Sequence, residues 1–138
     1  QLRPGSKTVA LDAAGEVADM VIPIVGRNEK DFVSPFAPKG RFEGLSVESL
    51  AVHEAEDRFW QQFRADKDAG AFGANWAAFL RASMFGCLYQ GLAGGAADPR
   101  VPEFADRLER GTARRLAAAP APVPIILATV VLVKNRPI

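Results

Sequence analysis

Pro124-Ile125-Ile126-Leu127-Ala128-Thr129-Val130-Val131-Leu132-Val133-Lys134 is an apolar run rich in β-branched residues, stopped by a charged, Pro-containing tail. Branched side chains fit a pleated surface and lose rotamer freedom on a helix, so the run predicts a strand of about ten residues. It is about half the length a bilayer-spanning helix needs, which argues against a membrane segment. Pro120, Pro122 and Pro124 stiffen the connection leading into it.

Outward from this strand, two further segments have strand character. Leu2-Arg3-Pro4-Gly5 reads as a turn feeding residues 7–12, where Thr8, Val9, Ala10 and Leu11 make a nearly continuous apolar run of the kind buried on both faces. From Leu45, two sets alternate: Leu45, Val47, Ser49, Ala51 and His53 against Ser46, Glu48, Leu50, Val52 and Glu54. That alternation predicts a strand over 45–53 with one face partly wet.

Helical spacing fills the rest. Val17, Met20 and Val21 predict a short helix within 14–22, ended by Pro23. Asn28 is placed to cap a second short helix, with Asp31 near its positively polarised start. Phe59, Trp60 and Phe63 predict a helix over 56–66. Phe72, Trp76, Phe79, Leu80, Ser83, Met84, Cys87 and Leu88 step by three and four, which predicts one long, largely buried helix over 69–92. The loop 91–99 is rich in breakers, and Asp98-Pro99 is expected to start a last helix running to about residue 119, with Pro99 in its first turn. Strands and intervening helices together make an α/β pattern.

The 138 residues suit one modest domain, 49% hydrophobic and 24% charged. Seventeen basic and 16 acidic residues leave a net charge of +1, which gives no reason to expect nucleic acid or an anionic membrane as partner. A lone cysteine, Cys87, cannot form an internal disulfide, and with no basic-then-apolar leader the chain is expected in a reducing cytoplasm. The absence of an initiator Met suggests a fragment. His53 lies near Glu54, Glu56 and Asp57, but one histidine without a nearby cysteine is a poor transition-metal site. Arg107, Arg110, Arg114 and Arg115 interleave with Glu103, Asp106 and Glu109, which predicts a solvated, ion-paired helix face. Trp60 and Trp76 are expected to anchor helix packing. No Ser-His-Asp order, Cys-His pair or phosphate loop is present.

Taken in order, the Leu2-Arg3-Pro4-Gly5 turn and its strand, the Leu45 strand introduced by Gly40-Arg41-Phe42-Glu43-Gly44, the helices and the Ile125 strand resemble the C-terminal half of a class I S-adenosylmethionine-dependent methyltransferase. The closest likeness is to SABATH-like carboxyl methyltransferases and their bacterial relatives. The resemblance spans nearly the whole chain. It implies an α/β fold in which residues 1–138 are the C-terminal part of a Rossmann-like sheet of three strands, the last antiparallel to and between the other two, with 55–120 as an inserted helical cap that binds the methyl acceptor. Phe79-Leu80-Arg81-Ala82-Ser83 looks like the family's pocket-lining cap helix. By that likeness Leu80 and Ser83 face the acceptor, Met84 stands one step further along, and Ile125 supplies a third wall. S-adenosylmethionine is implied for the parent protein. The glycine-rich loop and ribose-holding carboxylate are absent, and Gly91, Gly94 and Gly95 lie between helices, so no cofactor is expected to bind these residues alone. The expected partner is a small-molecule methyl acceptor, with a homodimer or a separate N-terminal half left open. Enzymatic activity depends on that half. A non-enzymatic module of the same shape, packed on another subunit, is the alternative.

Overall fold

The computed structural model describes residues 15–36 and 40–134. They form a mixed α/β structure of six α-helices and one two-stranded sheet among the described residues. The strand expected at 7–12 lies outside the described residues. The chain divides into two compact units, one from Gln1–Pro23 with Arg58–Ala121, the other from Ile24–Asp57 with Pro122–Ile138.

The second unit is built on a long hairpin. Strand β1, Leu45–Ala55, pairs antiparallel with β2, Ile125–Lys134, from Leu45 opposite Lys134 to Ala55 opposite Ile125. The register slips between Val47 and Ser49, leaving Glu48 as the extra residue of a bulge. Where β1 ends and β2 is about to begin, the Asp57 carboxylate accepts the Val123 N–H at 2.9 Å and fastens the open end of the ribbon. The apolar residues of β2 are not covered: Ile126 is 62% exposed and Leu127, Val131, Leu132 and Val133 are each at least 40% exposed. The sheet has two strands among the described residues, and the expected three-stranded Rossmann-like sheet is not shown. Before the hairpin, Asn28 caps helix α2, Glu29–Val33. Its Oδ1 accepts from Lys30 and Asp31, while Asp31 returns a bond to the Asn28 N–H, a complete capping box.

The first unit is helical. Helix α1, Glu16–Asp19, is shorter than expected and presents the opposite face: Val17 is 51% exposed, whereas Glu16 is buried. Helix α3, Arg58–Asp66, precedes α4, Ala69–Ser83, whose first turn is closed by Asp68 accepting from Ala71 N–H at 2.9 Å. The single helix expected over 69–92 is interrupted. Ser83 Oγ donates back to the Phe79 carbonyl at 2.7 Å, Met84 leaves helical geometry at φ −128°, and a short α5, Phe85–Leu88, follows. A hydroxyl bonded into the preceding turn bends a helix, and Gly86 just beyond adds little to hold it straight. A 3₁₀ turn, Tyr89–Gly91, then brings Gly91 so close to α1 that a Cβ there would meet Met20 Cγ at 2.7 Å and the Glu16 carbonyl at 2.8 Å.

The last helix, α6, is Val101–Ala118. Pro102, not Pro99, occupies its first turn, and Asp98 does not cap it. Asp98 turns its carboxylate instead to the Gly94 and Arg100 N–H groups and to the Arg100 side chain. The core lies where α4 meets α6 through small residues, with Ala77 and Ala105 buried, and where α4 meets α3 through Phe72 and Trp76. Among the described residues, no helix is long and apolar enough to cross a membrane.

Candidate functional site

Aromatic residues stepping along α3 and α4 build a wall of two ring clusters. Trp76 meets Phe59 edge-on at 5.2 Å and Phe79 edge-on at 5.6 Å, while Phe72 meets Trp60 at 6.1 Å and Phe63 at 5.5 Å. The edge-to-face geometry sets ring edges of positive potential against negative faces. Both tryptophans therefore anchor the packing of α3 on α4. The Trp76 indole N–H is buried and meets no acceptor among the described residues. Phe79, at the far end of the wall, is 48% exposed.

Leu80, Ser83 and Met84 follow this wall into the bend between α4 and α5. Leu80 and Met84 are half-buried and joined by a backbone bond from Met84 N–H to the Leu80 carbonyl, 2.8 Å. Ser83 is exposed, with its hydroxyl proton committed to Phe79. Its oxygen lone pairs stay open to a donor. Ile125 is half-buried as the first residue of β2, opposite Ala55, and belongs to the other compact unit. The bend thus offers apolar surface and a hydroxyl but no free acid or base.

The one charged side chain of the Phe79–Ser83 segment, Arg81, is committed elsewhere. Its Nη1 reaches Asp106 at 2.7 Å and Glu109 at 2.5 Å, tying α4 to α6. Its hydrogen bonds to Glu109 first and Asp106 second hold the guanidinium above its ordinary value, so it stays a cation. This contact also changes the expected charge pattern of α6. Asp106 and Glu109 pair with Arg81 rather than with the arginines of their own helix, and only Glu103 reaches one of those, Arg107, at 3.9 Å. The cross-helix partner wins because helix packing fixes Arg81 over both carboxylates, whereas exposed pairs along one helix gain only a few tenths of a kcal/mol.

A second cluster escapes any local reading of the sequence. Arg100 Nη1 and Nη2 form a fork on Glu16 at 3.0 and 2.5 Å, and Nη2 and Nε also reach Asp98 at 2.8 and 2.9 Å. Glu16 Oε1 additionally accepts the Ala93 N–H at 2.9 Å. The Arg100 side chain, then the backbone N–H groups of Arg100 and Gly94, hold the Asp98 carboxyl well below the usual carboxylate range. Arg100 is raised in return, by Asp98 first and Glu16 next. Glu16 and Asp98 are both buried, which makes the cluster a latch and not an open site.

Gly91 is packed against α1, a Cβ on Gly94 would fall 2.9 Å from Asp98 Cα, and the Asp98 carboxylate is filled by protein donors. The carboxylate of the 91–98 segment is thus taken up by protein donors. His53 is exposed on β1 opposite Leu127, and among the described residues no three His, Cys, Asp or Glu side chains gather as a metal set. In the hairpin unit, a groove of about 390 Å³ is lined by Val25, Arg27, Phe32, Val52 and Ile126 among others.

No protein-family model and no curated protein matches this chain.

Proposed function

We propose that the chain is the C-terminal part of a small-molecule S-adenosylmethionine-dependent methyltransferase of SABATH-like type, contributing the acceptor-binding cap. One observation carries the reading: β1 and β2 pair antiparallel although the helical segment Arg58–Ala121 stands between them in sequence. A terminal antiparallel hairpin with a helical insertion between its strands is the order the resemblance implies. The uncovered apolar residues of β2 support a wider sheet. The half's missing cofactor site would then lie in the preceding part of the protein.

In this reading Leu80, Ser83 and Met84 line the acceptor pocket. The bound cofactor supplies the electrophilic methyl group. This chain's residues supply apolar walls that exclude water and fix the acceptor's orientation, and a hydroxyl oxygen at Ser83 that can accept a bond from it. No acid or base on the α4–α5 bend is required.

In the protein carrying its cofactor-binding half, Ser83→Phe is expected to shift relative kcat/KM between small and large acceptors by about 10- to 100-fold, with cofactor affinity nearly unchanged. A competition assay with paired acceptors reads the shift. Unchanged selectivity in a folded variant removes Ser83 from the pocket. The exposed Phe79 and β2 side chains favour a second reading, a non-enzymatic module of the same shape seated on another subunit. A stable complex that buries Phe79, in a protein without methyl transfer, would support it.

A further inference from the structure

The arginine face of α6 is left open because Arg81 of α4 engages the neighbouring carboxylates. Arg107, Arg110 and Arg114 stand at i, i+3 and i+7, so they form one stripe along the helix, about 10 Å long at 1.5 Å per residue. With Ala113 they line a groove of about 440 Å³. Arg110 and Arg114 are exposed, and among the described residues no carboxylate reaches ion-pair distance of either. Asp106, four residues before Arg110 and the natural partner for it on a helix surface, is held by Arg81 from α4. Glu109, beside them in sequence, is held by the same guanidinium. Only Arg107 has a carboxylate near it, Glu103 at 3.9 Å.

We propose that this groove is a binding site for a small, multiply charged oxyanion, such as a phosphorylated or polycarboxylate metabolite, and that Arg81 is a positioning residue that keeps it open by engaging Asp106 and Glu109. The planar guanidinium presents paired donors that match carboxylate and phosphate oxygens, and adjacent forks along one stripe suit a ligand with two or more anionic groups. The small side chain of Ala113 leaves space between the arginines. A volume of this size fits a small molecule and not an extended polymer. The site is independent of the acceptor pocket and of the methyltransferase reading.

Calorimetric titration of the intact chain at low salt with pyrophosphate, citrate and acetate tests it. One saturable site is expected for pyrophosphate or citrate, the stronger of the two identifying the phosphate or carboxylate class, with acetate far weaker. The double variant R110Q/R114Q is expected to weaken binding by at least about tenfold, since two charge-assisted pairs are lost. Glutamine keeps helix propensity close to that of arginine, so circular dichroism should show the fold intact. R81Q, which touches no ligand, is expected to weaken binding several-fold by releasing Asp106 to Arg110. Undiminished binding in R110Q/R114Q, acetate binding as tightly as citrate, or saturable binding only to an oligonucleotide would overturn the proposal. Full affinity in R81Q would overturn the part assigned to Arg81.

Discussion

Gly73→Ala is expected to destabilise the helical unit by about 2 kcal/mol or more, although alanine is the better helix former by roughly 0.5–1 kcal/mol. Gly73 is where α4 comes nearest to α6. A Cβ there would fall on the backbone carbonyl of Ala113, 3.0 Å from the Ala117 nitrogen and 3.1 Å from the Ala117 Cβ. Each of these atoms is part of the facing helix or directly attached to it, so no flexible side chain can swing aside. The helices must separate, and buried Ala77 and Ala105 lose their close packing. Gly111→Ala gives the contrast: nothing lies within 4 Å of its Cβ position, and the same substitution is expected to stabilise α6 by about 0.5–1 kcal/mol. Urea denaturation of the two variants should move the midpoint in opposite directions. Equal midpoints would mean that α4 and α6 do not pack this closely.

That contact also marks the boundary of what sequence can reveal. The hairpin is legible because both strands carry local signals, alternation over Leu45–Ala55 and β-branched density over Ile125–Lys134. Helices α3 and α6 are legible through spacing, and α2 through Asn28 and Asp31. The break at Met84 is not, because apolar spacing continues through Cys87 and Leu88 while the Ser83 back-bond and the tight turn at Gly91 redirect the chain. Gly73 sits inside an apolar helical pattern, where its role as a contact point depends entirely on a helix forty residues away. The buried side of α1 is misread for the same reason: Val17 and Val21 carry the hydrophobic signal, but Glu16 has the partner.

At the candidate site the division is similar. Phe79, Leu80, Ser83 and Met84 are legible as consecutive positions on one helix, and their nearness follows from chain connectivity. Their relation to Ile125 depends on tertiary arrangement, which spacing does not encode. Glu103, Asp106 and Glu109 alternate with arginines on α6 in a pattern that predicts pairing along one helix. The preference of Asp106 and Glu109 for Arg81 is a property of how α4 and α6 pack, and it alone leaves Arg110 and Arg114 open.

Loss of the Glu16–Arg100–Asp98 latch is expected to have the other large effect on stability. Glu16→Ala removes both arms of the Arg100 fork on that side and the acceptor of the Ala93 N–H, so three hydrogen bonds to a buried carboxylate are lost while Arg100 keeps Asp98, and the urea midpoint is expected to fall. Its partner Asp98 then gives the latch a pH signature. The Asp98 carboxyl is depressed in the folded state, by the Arg100 side chain foremost, so the unfolded chain takes up the proton first as pH falls. The stability contributed by the ionised carboxylate is therefore complete above about pH 5 and is lost as pH drops through and below the ordinary aspartate value of about 3.9. Arg100, raised from an already high value, stays charged throughout. Asp98→Asn should accordingly be less stable than the parent at neutral pH, and the gap between the two urea midpoints should narrow steadily from about pH 5 to pH 3. A gap that stays constant over that range would show that Asp98 holds its neighbours by shape and hydrogen bonding alone, without its charge.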